Sequence, residues 1–268
     1  MLFFHIILLA LIQGITEFLP ISSSGHLVLA HEIIGKTQHD LTIDVAVHVG
    51  TLFAVFVYFK KDITKMLCSL KSGGDKNLVF AIIIGSLPVI AAGYIIHLTG
   101  PEWTRSLYLT AWCTLIFGIV LWIADKYSKT EKKIESISLK QAFIIGLAQV
   151  LALIPGTSRS GITMTAARGL GFTRTESARF SLLLAMVAIS GAGTLGTIDI
   201  IQQGNISLGI DVFIAAIMAF LSGLLAITLM MKWLEKASFA PFIIYRIILG
   251  IVLLFLLYSG SLEAIPVP

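Results

Sequence analysis

Apolar residues fill this chain in blocks of about twenty, the length an α-helix needs to cross a hydrocarbon core, with short polar stretches between them. Such blocks fall at roughly 42–59, 77–98, 106–124, 177–195, 208–231 and 239–259 and predict six membrane spans. Two further apolar stretches, 1–35 and 139–172, are each broken near the middle by Pro, Gly and Ser. Helix-breaking polar segments persist at membrane depth only where protein or a water-filled cavity surrounds them. Both stretches are therefore expected to be re-entrant helix-loop-helix elements, and their tips are where chemistry should be sought.

The two breaks share a pattern. Residues 13–26 read QGITEFLPISSSGH and residues 149–163 read QVLALIPGTSRSGIT. Gln13 and Gln149, Ser22 and Ser158, and Gly25 and Gly161 are each 136 residues apart, with Pro20 and Pro155 out of step by one. Offsets of about 130 to 136 residues extend the correspondence to the spans. Each half, approximately 1–130 and 139–268, then holds one re-entrant element and three spans, and an odd number of spans turns the second copy upside down. The expected architecture is an all-α polytopic membrane protein, a single integral domain over 1–268, built as an inverted repeat whose loop tips meet near the midplane.

Composition strengthens the membrane reading. Of 268 residues, 57% are hydrophobic and 13% charged, and the mean hydropathy is +0.94, which leaves too little polar surface to cover a soluble domain of this size. No Lys or Arg precedes Lys36 and the apolar run continues into the first motif, so the first helix is expected to be retained rather than cleaved as a signal peptide. Lys60, Lys61, Lys65, Lys71 and Lys76 lie in one connection, Lys126, Lys129, Lys132, Lys133 and Lys140 in another, and Lys232 and Lys236 in a third. The 196–207 connection and the tail after Tyr258 have none. Positive charge marks cytoplasmic connections. That rule places 27–41, 196–207 and the tail outside and Arg168, Arg174 and Arg179 inside, with the first re-entrant element entering from outside and the second from the cytoplasm. The net charge of +4 is accounted for by lysines facing anionic lipid headgroups, without a nucleic-acid partner.

Within the first motif, Gln13 and Glu17 are four apart and share a helix face, so they can hold one ligand together. A carboxylate in a membrane segment is costly and reads as functional, the plain alternative being an ion pair with an internal Arg. Ser22, Ser23, Ser24 and Gly25 form a small-residue turn after Pro20, where amides at a helix start suit a phosphate and a serine also serves as an ordinary N-cap. His26 has the chemistry of a general acid or base, a metal ligand or a nucleophile. In the second motif, Arg159 offers a planar fork of donors matched to phosphate oxygens. Ser158, Ser160, Gly161 and Thr163 surround it. A structural Arg159–Glu17 pair is conceivable, but the hydroxyls and glycines around it point to phosphate recognition.

These motifs resemble those of the undecaprenyl-pyrophosphate phosphatase family, the bacterial bacitracin-resistance phosphatases. The family's Glu/Gln-x-x-x-Glu helix with Ser-Ser-x-Gly-His falls on Gln13 to Glu17 and on Ser22 to His26, and Pro-Gly-x-Ser-Arg-Ser-x-x-Thr falls on Pro155 to Thr163. Similarity also covers Val45 to Val55 and Pro241 to Arg246, nearly the whole chain. The resemblance implies a multi-pass protein of the bacterial cytoplasmic membrane that hydrolyses undecaprenyl diphosphate to undecaprenyl phosphate and inorganic phosphate. This would recycle the lipid carrier for peptidoglycan, with the site opening to the outer side. It also implies a divalent cation, Mg2+ or Ca2+, anchored by Glu17 with Gln13, where Gln in place of Glu halves the available charge. Ser22, Ser24, Gly25, Ser158, Ser160 and Thr163 are expected to position phosphate, and Glu17, Ser23, His26 and Arg159 to carry the reaction. Three nucleophiles stay open: a Ser23 alkoxide activated by His26, His26 itself, or a metal-activated water.

Asp44 and His48, four apart, read either as support for the site or as a hydrogen bond within the bundle. Arg246, beside Tyr245 near the start of the last span, reads as a side chain snorkelling to the cytoplasmic interface. His5, His31, His39 and His97 carry no assigned role. Cys68 and Cys113 suggest no disulfide, and no Cys/His zinc spacing occurs. Gly and Ala on an apolar surface are compatible with a homodimer without demanding one. The competing reading is a transporter or flippase of polyprenyl phosphate, since broken helices in inverted repeats also build transporters. A protein that only binds the lipid diphosphate is a third.

Overall fold

A computed structural model describes residues 2–34, 40–72, 74–128, 132–202 and 209–262. The chain is all-helical, with no strand among the described residues. Its elements are α1 (Leu2–Thr16), α2 (Ser23–Ile34), α3 (Asp40–Tyr58), α4 (Lys60–Ser72), α5 (Asn77–Thr99), α6 (Leu107–Tyr127), α7 (Leu139–Val150), α8 (Arg159–Gly169), α9 (Arg174–Gln202), α10 (Ile210–Leu234) and α11 (Ala240–Tyr258). Five of these, α5, α6, α9, α10 and α11, are each long and apolar enough to cross a membrane, and α3 with α4 makes a sixth candidate bent by 72°. The lysine-bearing 60–76 connection is largely helix. Residues 35–39, 203–208 and 263–268, which include His39 and parts of the segments expected outside, lie outside the described residues, as does Lys129.

Local sequence sets the helix ends. The Ser138 hydroxyl accepts from the Gln141 amide while the Gln141 side chain accepts from the Ser138 amide, a reciprocal cap that starts α7. Ser106 caps α6 in the simpler way. Gly100 closes α5 in the left-handed conformation, φ 51°, returning its N–H to the Ile96 carbonyl.

Packing is close where side chains are small. An ideal Cβ on Gly50 would sit 2.1 Å from the Ala216 carbonyl oxygen, and one on Gly146 would sit 2.4 Å from that of Gly85, so α3 meets α10 and α5 meets α7 backbone to backbone. Helix α10 also lies on α1, α5 on α9, α3 on α9 and α6 on α11, while α8 is held among α6, α7 and α9. The outer surface carries exposed Phe53, Phe80, Leu87, Trp112, Leu225 and Phe255, an apolar belt suited to acyl chains rather than water.

One end of the bundle is tied by ion pairs. The buried Asp125 carboxylate accepts from Arg168 Nε at 3.1 Å, Arg174 Nε at 2.7 Å and the Phe239 amide at 3.3 Å. Arg179 reaches Asp62, Glu135 and Glu176. The three arginines expected on one side do gather at one end, with the lysine-rich α4 joined through Asp62.

Candidate functional site

Helix α1 ends at Thr16, and residues 17–22 turn the chain before α2 starts at Ser23. In the second half, residues 154–158 do the same before α8 starts at Arg159. Ser22 and Ser158, equivalent in the two motifs, adopt φ 75° and 71°, the left-handed region that a non-glycine residue enters at a cost. Each then caps the following helix: the Gly25 amide donates to Ser22 Oγ at 3.4 Å, and the Gly161 amide to Ser158 Oγ at 3.1 Å. For these two serines the ordinary capping role is what the geometry displays. Gly156, φ 85°, turns the second loop against α6, where a Cβ would fall 2.2 Å from the Thr110 carbonyl oxygen, so only glycine fits.

The loop tips meet. Glu17 is at their centre: one carboxylate oxygen accepts from Gln13 Nε2 at 2.8 Å and from Ser23 Oγ at 2.7 Å, and the other accepts from Arg159 Nη2 at 3.0 Å. Arg159 also donates through Nη1 to the Ser181 carbonyl at 3.2 Å. Ser160 Oγ donates to the Leu19 carbonyl of the opposite loop at 2.9 Å. A cavity of about 780 Å³ opens from this cluster. Glu17, Ser23, His48, Ser158 and Arg159 form its polar end, and Val89, Ile90, Gly93, Tyr94, Leu153, Val187, Ile189 and Leu195 are among its apolar walls, mostly on α5 and α9.

Several expected residues lie elsewhere. Thr163 is fully buried and donates to the Ser181 hydroxyl at 2.7 Å, and Ser160, 1% exposed, spans the two loops, so both brace the fold behind the cavity. Ser22 and Gly25 sit behind it too, and the side chain of Ser24 lies outside the described residues. The Ser23–His26 pair, one of the three nucleophile readings, does not form. Ser23 donates to Glu17, while His26 Nδ1 meets the Ser22 carbonyl at 2.7 Å and Nε2 meets Tyr245 Oη at 2.5 Å, with the two rings stacked. Residues three apart are neighbours on a helix face, but each of these side chains is taken by partners from outside α2: Ser23 by Glu17 of the loop, and His26 by the Ser22 carbonyl of the loop and by Tyr245 of α11.

Two residues carried more than the sequence indicated. His48 Nδ1 is held by the Asp44 backbone carbonyl at 2.7 Å, which leaves Nε2 as the free ring nitrogen of a side chain lining the cavity. Arg246, expected to snorkel to an interface, is instead 0% exposed. Burying an unpaired charge is costly, and the donors of this guanidinium are met there by four backbone carbonyls.

The fit for a divalent cation rests on few atoms. Among the described residues no group of three or more His, Cys, Asp or Glu is placed to hold a metal. Gln13 must turn its amide nitrogen to Glu17, and its Oε1 is then buried with no hydrogen-bond partner. One carboxylate and one orphaned amide oxygen suit Mg2+, which keeps waters and takes remaining ligands from substrate phosphates, and do not suit a closed zinc site.

Residues 6–252 match the family described as Bacitracin resistance protein BacA. The chain belongs to this family. It is 45% identical over 266 residues to the undecaprenyl-diphosphatase of Alteromonas mediterranea, covering 97% of this chain and all of that protein. The undecaprenyl-diphosphatase of Roseobacter denitrificans is 46% identical over 267 residues, again covering 97% of this chain and all of the relative, and that of Ruegeria pomeroyi is 45% identical over 264 residues, covering 96% and 99%. With its apolar helices, this BacA-family chain is a multi-pass membrane protein.

Proposed function

We infer that the chain is an undecaprenyl-diphosphatase, hydrolysing undecaprenyl diphosphate to undecaprenyl phosphate and inorganic phosphate in the bacterial cytoplasmic membrane and conferring bacitracin resistance. The observation that carries the reading is one cavity joining the Glu17–Ser23–Arg159 cluster to apolar walls from α5 and α9. Its two ends match an amphiphile with an anionic head and a polyprenyl tail. The reaction class is shared with the full-length relatives named above.

Ser23 is the nucleophile the geometry favours. Its hydroxyl donates to Glu17 at 2.7 Å, so attack of Ser23 Oγ on the terminal phosphorus would pass its proton to that carboxylate. The bond from phosphorus to the bridging oxygen breaks, undecaprenyl phosphate leaves, and water then hydrolyses the phosphoserine. Arg159 stabilises charge on the transferred phosphoryl group, and incoming phosphate oxygens compete with Glu17 for its donors, which frees the carboxylate to act as base. Ser158 and the N-terminus of α8 add amide donors on the same side. His26 acts through Tyr245 and the Ser22 carbonyl as a positioning group. A cation held by Glu17 and Gln13 Oε1 would neutralise phosphate charge.

The inverted repeat is part of this proposal. Exchanging α1, α3, α5 and α6 with α7, α9, α10 and α11 turns the α1–α10 contact into α7–α5, α3–α10 into α9–α5, and leaves α3–α9 and α6–α11 unchanged, all of which are packed pairs. Helix α4 has no counterpart. The site would open outward, as lysine placement orders the ends.

Phosphate release from undecaprenyl or farnesyl diphosphate by purified protein in detergent tests the activity, with EDTA and Ser23→Ala alongside. Release that both abolish supports the mechanism. Folded protein that releases no phosphate yet moves polyprenyl phosphate between leaflets of liposomes would turn the reading to transport.

A further inference from the structure

We propose that Arg246 is a positioning residue for the reaction: a buried guanidinium that locks the two loop tips in register through their backbone carbonyls, so that Ser23 and Glu17 on one loop face Arg159 on the other. The proposal rests on the site reading above.

Arg246 projects from α11 and bonds three separate chain segments at once. Nη1 donates to the Pro20 carbonyl of the first loop at 3.4 Å, and Nη2 to the Gly156 carbonyl of the second at 2.9 Å. Nε donates to the Thr114 carbonyl at 3.1 Å and Nη2 also to that of Cys113 at 3.3 Å, which fixes the guanidinium against α6. Among the described residues no carboxylate pairs with it. The other buried arginine at 1% exposure, Arg168, is held by Asp125 at the end of the bundle and touches neither loop.

The surroundings are shaped to admit this side chain. A Cβ on Gly161, in the first turn of α8 two positions after Arg159, would lie 2.7 Å from Arg246 Nη1, and one on Gly118 of α6 would lie 3.0 Å from Arg246 Cβ. Both glycines leave space that the arginine side chain occupies. Pro20 and Gly156 are the points at which the loops reverse, where carbonyls have left the helical ladder and need donors. A planar fork serves both with fixed spacing, which the point-like ammonium of lysine cannot do. The neighbouring Tyr245 holds His26 from the same turn of α11. One turn of α11 thus braces both halves of the site, in addition to the direct Arg159–Glu17 and Ser160–Leu19 bonds between the tips.

The test compares Arg246→Lys, Arg168→Lys and Arg159→Lys in detergent, each scored for thermal unfolding and for kcat and KM per folded molecule. The expected result is that Arg246→Lys, which keeps the charge, lowers kcat about tenfold or more with KM within roughly threefold of wild type. Arg168→Lys should lower stability while kcat per folded molecule holds. Methylguanidinium added to Arg246→Ala should restore part of the lost kcat, since the fork rather than the charge is what the loops require. Arg246→Lys with wild-type kcat, or with a loss fully explained by its unfolded fraction as for Arg168→Lys, would overturn the proposal. Full turnover in Arg159→Lys would instead sink the site reading, whatever Arg246 does.

Discussion

Replacing Glu17 by Gln keeps volume and removes charge at the point where both loops converge. The Glu17 carboxylate accepts from Gln13, Ser23 and Arg159 together. A glutamine amide has one acceptor oxygen, so whichever way it turns, its NH2 meets a donor. Two losses result. The charge-assisted bond to Arg159 contributes about 1.5–3 kcal/mol, and the base for Ser23 contributes about 10²- to 10⁴-fold in rate. The expected kcat is therefore about 10²- to 10⁴-fold below wild type. KM should not rise in step, because Arg159, released from its carboxylate, becomes freer to take phosphate, and a fall of a few-fold is expected. Steady-state phosphate release from farnesyl diphosphate at several Mg2+ concentrations reads both parameters. If raising Mg2+ about tenfold restored turnover, Glu17 would be chiefly a metal anchor, and the base assignment would be refuted. An unchanged kcat with a raised KM would refute it equally.

Other outcomes are expected from the same contacts. Gly156→Ala forces a non-glycine residue to φ 85° against the Thr110 carbonyl; about 1–2 kcal/mol for the conformation and about 1–3 kcal/mol for the overlap should lower folded yield and the thermal midpoint, and a wild-type melting curve would contradict the loop geometry. Asp125→Asn leaves Arg168 buried beside a neutral amide and should destabilise by about 3 kcal/mol, read by thermal unfolding in detergent, with kcat of the folded fraction retained. Gly93→Phe fills part of the cavity between α5 and α9, so hydrolysis of the undecaprenyl substrate should fall well below that of farnesyl diphosphate; equal losses on both would place the tail elsewhere. Chelation with EDTA should stop turnover and Mg2+ or Ca2+ should restore it, while turnover that persists under EDTA would remove the cation from the mechanism.

Much of this molecule was determined by sequence alone. Six apolar blocks became α3, α5, α6, α9, α10 and α11 close to their expected bounds, because bilayer thickness and the need to satisfy every backbone polar group leave helices as the solution for such composition. The paired Ser-x-Ser-Gly breaks marked both loops, since Pro and Gly clustered with hydroxyl residues favour a turn over a continuous helix, whereas single ones such as Pro88 and Gly50 stay within α5 and α3. Glu17, Ser23, Ser158 and Arg159 were legible as candidates because charge and hydroxyls stand out against an apolar background. What only the tertiary structure decided was which of these groups meet. Glu17 rather than His26 receives the Ser23 hydroxyl, because the loop brings the carboxylate to Ser23 while His26 is held by Tyr245 of α11. Thr163 and Ser160 turned inward to brace the loops, and His48 joined the cavity from a different helix, α3. Arg246 read as an interfacial cation, because an isolated charge on a span should seek water. Its partners are four backbone carbonyls from residues 20, 113, 114 and 156, and backbone carbonyls are the same in every sequence, so only their placement in space could reveal where that charge belongs.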